Sequence, residues 1–155
     1  LQILGEGGDR LTRIEKTIEI NAPPEKIFAF ANWDNVPKLY DSIKSAEWTS
    51  KETNEVGSTI HVFSELAGIK GEYDAEVTEM IENEKAAWRT TSGNVTVVYY
   101  MTLKPAKTGT LVTTSFDYEL PYSILGKIID KLRVHRALEK DSETGLKRLK
   151  EAMEQ

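Results

Sequence analysis

Cysteine is absent from the chain, which removes disulfides, thiolate metal sites, cysteine nucleophiles and thiol redox chemistry at once. Histidine occurs only as His61 and His135, too far apart to match any metal-ligand spacing, so no metal site is expected. No apolar run approaches the ~20 residues that span a bilayer. No charged segment followed by a hydrophobic stretch opens the chain. Stable membrane insertion and export are therefore not expected, and a cytoplasmic location is. Positive charge is scarce: 20 Lys and Arg against 25 Asp and Glu give a formal net charge of -5 and a pI near 5.2. That balance works against a nucleic-acid partner, whose sequence-independent affinity comes from cations neutralising phosphates. There is no G-x-S-x-G, and Ser42, Ser64 and Ser115 have no recognisable histidine partner, so nucleophilic hydrolysis is not indicated. Gly5-Glu6-Gly7-Gly8 neither follows a strand nor ends in Lys-Ser/Thr, and so is not a phosphate loop. No cofactor is implied.

What is present fits one folded domain. At 155 residues the chain can bury a full core but not two. Residues 1–10 follow no periodic pattern and read as a flexible N-terminal extension, leaving residues 11–155 as the domain. Ile14, Ile18 and Ile20 share a parity against Arg13, Glu15, Thr17 and Glu19, the mark of a half-buried strand. Asn21-Ala22-Pro23-Pro24 breaks that strand, and Ile27, Phe28, Phe30 and Ala31 follow at helical spacing. A second short helix is expected around Leu39-Tyr40, with Asp34 as its N-cap and Pro37 in its first turn. Residues 43–120 alternate throughout, with turn residues at Asn54 to Gly57, Ala67-Gly68, Glu82 to Lys85, Ser92 to Asn94 and Pro105 to Gly109. Six strands fit between those turns, and the short spacing predicts an antiparallel meander. Ser123 can cap a final helix of about 30 residues whose apolar stripe must lie on the sheet. The fold class is α+β: a curved seven-stranded antiparallel sheet, two short helices after the first strand and a long C-terminal helix.

The order of elements, opened by Ile18-Glu19-Ile20-Asn21-Ala22-Pro23-Pro24-Glu25-Lys26-Ile27-Phe28, resembles the START-like or SRPBCC superfamily. Val56-Gly57-Ser58, the run from Tyr73 to Glu79, Ala87-Trp88-Arg89-Thr90-Thr91-Ser92-Gly93 and Tyr118-Glu119-Leu120-Pro121 are similar to its polyketide cyclase/dehydrase and lipid-transport-like branch. The resemblance covers nearly the whole domain. It implies a helix-grip fold with the long helix over an internal cavity. It carries no universal catalytic signature, since members bind, transfer, cyclise or engage proteins.

Candidate site residues come from the strand parities and the final helix. Thr59, His61, Phe63 and Glu65 share one parity, Tyr73, Ala75 and Val77 another, then Val97, Tyr99, Met101 and Leu103, then Val112, Thr114, Phe116 and Tyr118. With those parities facing the helix, Phe63, Tyr73, Tyr99, Met101, Phe116 and Tyr118 line an aromatic interior; a filled core is the alternative. On the final helix, His135 and Ser142 fall near the middle of the apolar stripe, with Leu138 and Gly145 to one side. A stripe smaller and more polar at its centre suits a helix bordering an unfilled space, while a core histidine satisfied by a strand residue is the plainer explanation for His135. Arg89 either clamps a carboxylate or points to solvent. His61, His135 and Tyr73 are the candidates for acid–base chemistry, and Trp33 and Tyr40 for a cavity mouth or a core plug. The charges on residues 139–154 alternate in sign, as on a solvated helix face.

The leading expectation is a carrier or sensor that holds a small hydrophobic molecule, lipid-, isoprenoid- or polyketide-like, in an internal cavity. The alternatives are a cyclase or dehydratase using His, Tyr or a carboxylate of that cavity, and a protein-interaction module with a vestigial cavity.

Overall fold

In the computed structural model, which describes residues 2–4, 10–120 and 131–155, the chain runs β1 (Gln2–Leu4), β2 (Arg10–Ile20), α1 (Pro24–Phe30), α2 (Val36–Leu39), β3 (Ile43–Trp48), β4 (Thr59–Leu66), β5 (Ile69–Ile81), β6 (Lys85–Gly93), β7 (Thr96–Pro105), β8 (Thr110–Glu119) and α3 (Lys131–Met153). The strands form one antiparallel sheet in the order β1-β2-β8-β7-β6-β5-β4-β3. The seven strands expected from the sequence are β2 to β8. To them the short β1 adds an eighth, paired from Gln2↔Thr12 to Leu4↔Arg10, in a stretch to which the sequence pattern assigned no element. The proposed cap Ser123 and the first part of the expected 30-residue helix lie outside the described residues.

Local chemistry accounts for the turns. Ala67 and Gly68 both take positive φ, 51° and 80°, in a two-residue hairpin closed by the pair Leu66↔Ile69. Such turns match the right-handed strand twist, which offsets the cost of a left-handed alanine. Asn54 and Asn83 also sit at positive φ, where asparagine is tolerated better than most side chains. Pro24 occupies the first position of α1, where its missing N–H costs nothing. Asn35, not Asp34, precedes α2; Asp34 instead accepts a 3.1 Å hydrogen bond from Trp48 Nε1.

The core is divided into three. Ile20, Ile27, Leu39, Met101 and Val112 pack with Leu146, Leu149 and Met153 of α3 in one cluster. Trp33, Ile60, Val62, Tyr73, Ala75 and Val77 form a second over β4 and β5, and Ile14, Val97 and Tyr118 a third. Ile20, Ile27, Ile60, Val62 and Val112 are fully buried, each contributing about 1.5–3 kcal/mol relative to exposure.

Most of the buried residues of α3, Gly145, Leu146, Leu149 and Met153, lie in its C-terminal half, with Val134 buried near its start. Its end is held by Lys26 Nζ donating to the Met153 carbonyl at 2.8 Å, Lys150 Nζ to the Glu19 carbonyl at 2.8 Å, and Asn21 N to Glu154 at 2.7 Å. Higher up, a Cβ at Gly145 would run into the ring of Tyr40. Glycine costs a helix about 1 kcal/mol relative to alanine; here it admits the tyrosine ring against the helix backbone. Gly145→Ala should therefore lower the melting temperature despite its better helix propensity, by overpacking worth about 1–3 kcal/mol. A thermal melt that stays put or rises would show that Tyr40 moves aside freely.

Candidate functional site

The three clusters are bridged by partly buried residues, Trp88 and Val95 between the second and third and Tyr99 between the first and third. Between them, under α3, lies a cavity of about 410 Å³, whereas a protein interior ordinarily closes up to crystal-like density. That volume falls in the range of small-molecule sites. Its walls come from all three clusters: Leu146 and Leu149 from the first, Trp33, Tyr73 and Val77 from the second, Val97 and Tyr118 from the third. One wall is an aromatic ladder across β5, β6 and β7. Trp88 stacks against Tyr73 at 6.4 Å and against Tyr99 at 5.4 Å between ring centroids, and Trp33 leans on Trp88 at 4.9 Å.

Of the residues singled out in the sequence, Tyr73, Tyr99, Met101, Phe116, Tyr118, Leu138 and Ser142 line this cavity. Phe63 does not: it is 45% exposed, because pairing of Val62 with Tyr73 and Ile60 with Ala75 turns the other parity of β4 inward. His61 lies on the same outer face as Phe63, their rings 5.0 Å apart edge-on, so it meets neither Tyr73 nor His135. Arg89 also faces outward, 58% exposed, with Glu76 3.8 Å away. The expected placement of Phe63 and the cavity clamp by Arg89 are thus corrected, and the acid–base set of His61, His135 and Tyr73 is not assembled.

His135 takes the plainer of its two expected roles. Its Nδ1 lies 2.9 Å from the hydroxyl of Tyr118, and its Nε2 lies 3.4 Å from Glu139. With the proton on Nε2 facing Glu139, Nδ1 accepts from Tyr118. Glu139 in turn accepts from Lys16 at 3.1 Å, and Lys16 also reaches Glu143 at 2.9 Å. The group is a latch joining β8, α3 and β2 beside the cavity.

The polar part of the cavity wall lies elsewhere, where α3 faces the turn after α2. Asp141 lines the cavity and accepts from Ser42 twice, from Oγ at 2.5 Å and from the backbone N at 3.3 Å. Burial pushes its carboxyl above the usual aspartate range, against the pull of the Ser42 hydrogen bonds. Next to it Tyr40 and Tyr99 line the cavity; burial raises both phenols, Tyr40 to about 12. Arg148, about two turns further along α3, is turned away to Asp41 at 2.7 and 3.2 Å. Sequence reasoning missed Asp141 because it sits among residues of alternating charge that read as a solvated face. The available signal was spacing: Asp141 stands three residues after Leu138 and four before Gly145, on the inward side of the helix.

A curved antiparallel sheet gripping a C-terminal helix over such a space is the helix-grip architecture of the START-like or SRPBCC superfamily. Residues 12–154 match the family described as polyketide cyclase / dehydrase and lipid transport, and the chain belongs to that family. It is similar to an uncharacterized 17.2 kDa protein from the melC2-rnhH intergenic region of Streptomyces lincolnensis, 26% identical over 125 residues that cover 79% of this chain and 78% of that one. Among solved structures, the Zhui aromatase/cyclase from a Streptomyces species superposes with a TM-score of 0.75 at 12% identity, covering 93% of this chain and 94% of that one. A START superfamily protein from Mycobacterium smegmatis superposes at 0.73 and 18% identity, covering 92% and 97%. At these identities the likeness is one of fold. No helix among the described residues is long and apolar enough to cross a membrane.

On the outer face, His61 bridges Asp74 at 2.7 Å and Glu72 at 2.9 Å. The bonds to Asp74 and then Glu72 raise its pKa above the ordinary 6.5, and the bonds from His61 and then Ser92 hold Asp74 below its own. The histidine's share of stability is complete below its unfolded pKa and is lost as pH rises through the elevated folded one. The aspartate's share is lost as pH falls through its depressed folded value. NMR titration should place His61 above 6.5, and Asp74→Asn should bring it down. A His61 that titrates at or below the ordinary value would break this account.

Proposed function

We propose that this domain binds a small hydrophobic molecule in the cavity between the sheet and α3, as a carrier or sensor. The carrying observation is the 410 Å³ space left among three otherwise well-packed clusters and walled by an aromatic ladder. An interior this size could be closed by larger side chains, yet the middle of α3 presents Leu138, Asp141 and Ser142 to it. Keeping the space empty forgoes dispersion and burial that a filled core would gain, a loss that an apolar occupant restores. The family description, which names both cyclisation and lipid transport, supports a hydrophobic or polyketide-like guest. Against a cyclase or dehydratase built on the two histidines stands their position: His61 is on the far side of the sheet and His135 is engaged with Tyr118. A soluble carrier or sensor working in the cytoplasm is the setting in which we place this activity.

Native mass spectrometry of protein made in a lipid-rich host should reveal a discrete bound mass, and the purified protein should take up a neutral apolar dye such as Nile red. Ser142→Phe, projecting a ring from α3 into the cavity, should cut dye uptake at least about tenfold, the scale on which filling a pocket removes burial, with the circular dichroism spectrum unchanged. Phe63→Ala, on the outer face, should leave uptake as it was. Dye binding that ignores Ser142→Phe and falls with Phe63→Ala would move the site to the outside of the sheet.

A further inference from the structure

We infer that the molecule held in the cavity carries a hydrogen-bond donor, a hydroxyl or an amine, which Asp141 receives, and that acids are turned away. This rests on the cavity being a binding site and goes on to the chemistry of its guest.

Among the described residues lining the cavity there is no lysine, arginine or histidine, and Asp141 is the one carboxyl group. An apolar acid entering the cavity meets one like charge and, among the described lining residues, no cation to pair with. In a low-dielectric space both are costly: a buried ionised carboxylate without a partner is disfavoured by several kcal/mol, about the scale of a lost charge-assisted pairing. The nearest guanidinium does not change this, because Arg148 spends its fork on Asp41 and also reaches the Leu39 carbonyl at 3.4 Å.

Asp141 is aimed as well as present. Ser42 holds one carboxylate oxygen through Oγ and the other through its backbone N–H, which fixes the plane of the group. A carboxylate offers about four acceptor positions, so two donors from Ser42 leave acceptor capacity toward the cavity. The other polar groups of the described wall, among them the hydroxyls of Tyr40, Tyr99, Thr114 and Ser142, are neutral, and Tyr118 is bonded to His135, which leaves Asp141 as the one charged acceptor among the described lining residues. Apart from neutral polar side chains such as Asn32, Ser64, Thr114 and Ser142, the described wall is apolar or aromatic. A long apolar molecule with an O–H or N–H end meets that wall with its body and Asp141 with its end. Burial that lifts the Asp141 pKa marks the cost of leaving the carboxylate without such a donor.

The test is displacement of Nile red by three competitors of one chain length, 1-dodecanol, dodecylamine and laurate, below their micellar concentrations, at a pH of about 8 where laurate is ionised and the amine protonated. On the wild-type protein the alcohol, the amine or both should displace the dye at concentrations at least about tenfold lower than laurate. An amine preferred over the alcohol marks a cationic guest; equal preference marks a hydroxyl donor. Asp141→Asn, whose amide oxygen still accepts from Ser42, should narrow the spread to about threefold or less, with each competitor referred to that variant's own dye affinity. Phe63→Ala should keep the wild-type ranking. Laurate displacing as well as the alcohol and amine, or a ranking untouched by Asp141→Asn, overturns the assignment while leaving the cavity reading in place. Failure of the wild-type protein to take up Nile red at all overturns both. The wild-type ranking needs no variant, so a misfolded Asp141→Asn would not shelter the inference.

Discussion

Everything in this molecule turns on how the last helix seats on the sheet. Leu146, Leu149 and Met153 are buried in the first core cluster, and Gly145 lets the ring of Tyr40 lie against the helix backbone. Polar ties from Lys26, Lys150 and Asn21 hold the helix end to β2 and α1. The preceding turns are held too, by buried Val134, by Leu138 against the third cluster and by the Tyr118–His135 bond, and between these contacts Leu138, Asp141 and Ser142 line the open space. The cavity is the geometric remainder of one well-packed contact.

Two sets of polar groups flank that remainder and do different things. Tyr118, His135, Glu139, Lys16 and Glu143 tie β8, α3 and β2 together. Ser42, Asp141, Tyr40 and Tyr99 face the cavity and retain capacity to accept. The distinction separates the more conspicuous residue, a histidine near the start of α3 that is bonded to Tyr118, from an aspartate hidden in a run of charges, which carries the recognition we assign.

The strand pattern illustrates what periodicity can and cannot do. In β7 and β8 one parity is apolar or aromatic and the other mostly polar, so Val97, Tyr99 and Met101 and Val112, Phe116 and Tyr118 were legible as inward-facing. In β4 the two parities are nearly balanced: Phe63 and His61 stand on one side, Ile60 and Val62 on the other. An aromatic ring weighed more on paper than two β-branched residues, but cross-strand pairing decides. Val62 opposite Tyr73 and Ile60 opposite Ala75 bury a continuous surface that Phe63 and His61 could not join. A one-residue change of register exchanges the faces of a whole strand, and no composition of β4 alone reveals the register.

By itself, the sequence determined the order of elements, the antiparallel meander and the helix that closes the chain, because those follow from local periods and turn residues that act within a few positions. It also excluded thiol chemistry, since the chain has no cysteine. Only the tertiary structure decided that the core splits into three clusters around an open space, which face of β4 meets it, that His135 serves the latch, and that Asp141 is the acceptor in the wall. Those are relations between residues far apart in the chain, 99 positions for Ser42 with Asp141 and 127 for Lys16 with Glu143, and close packing rather than local propensity sets them.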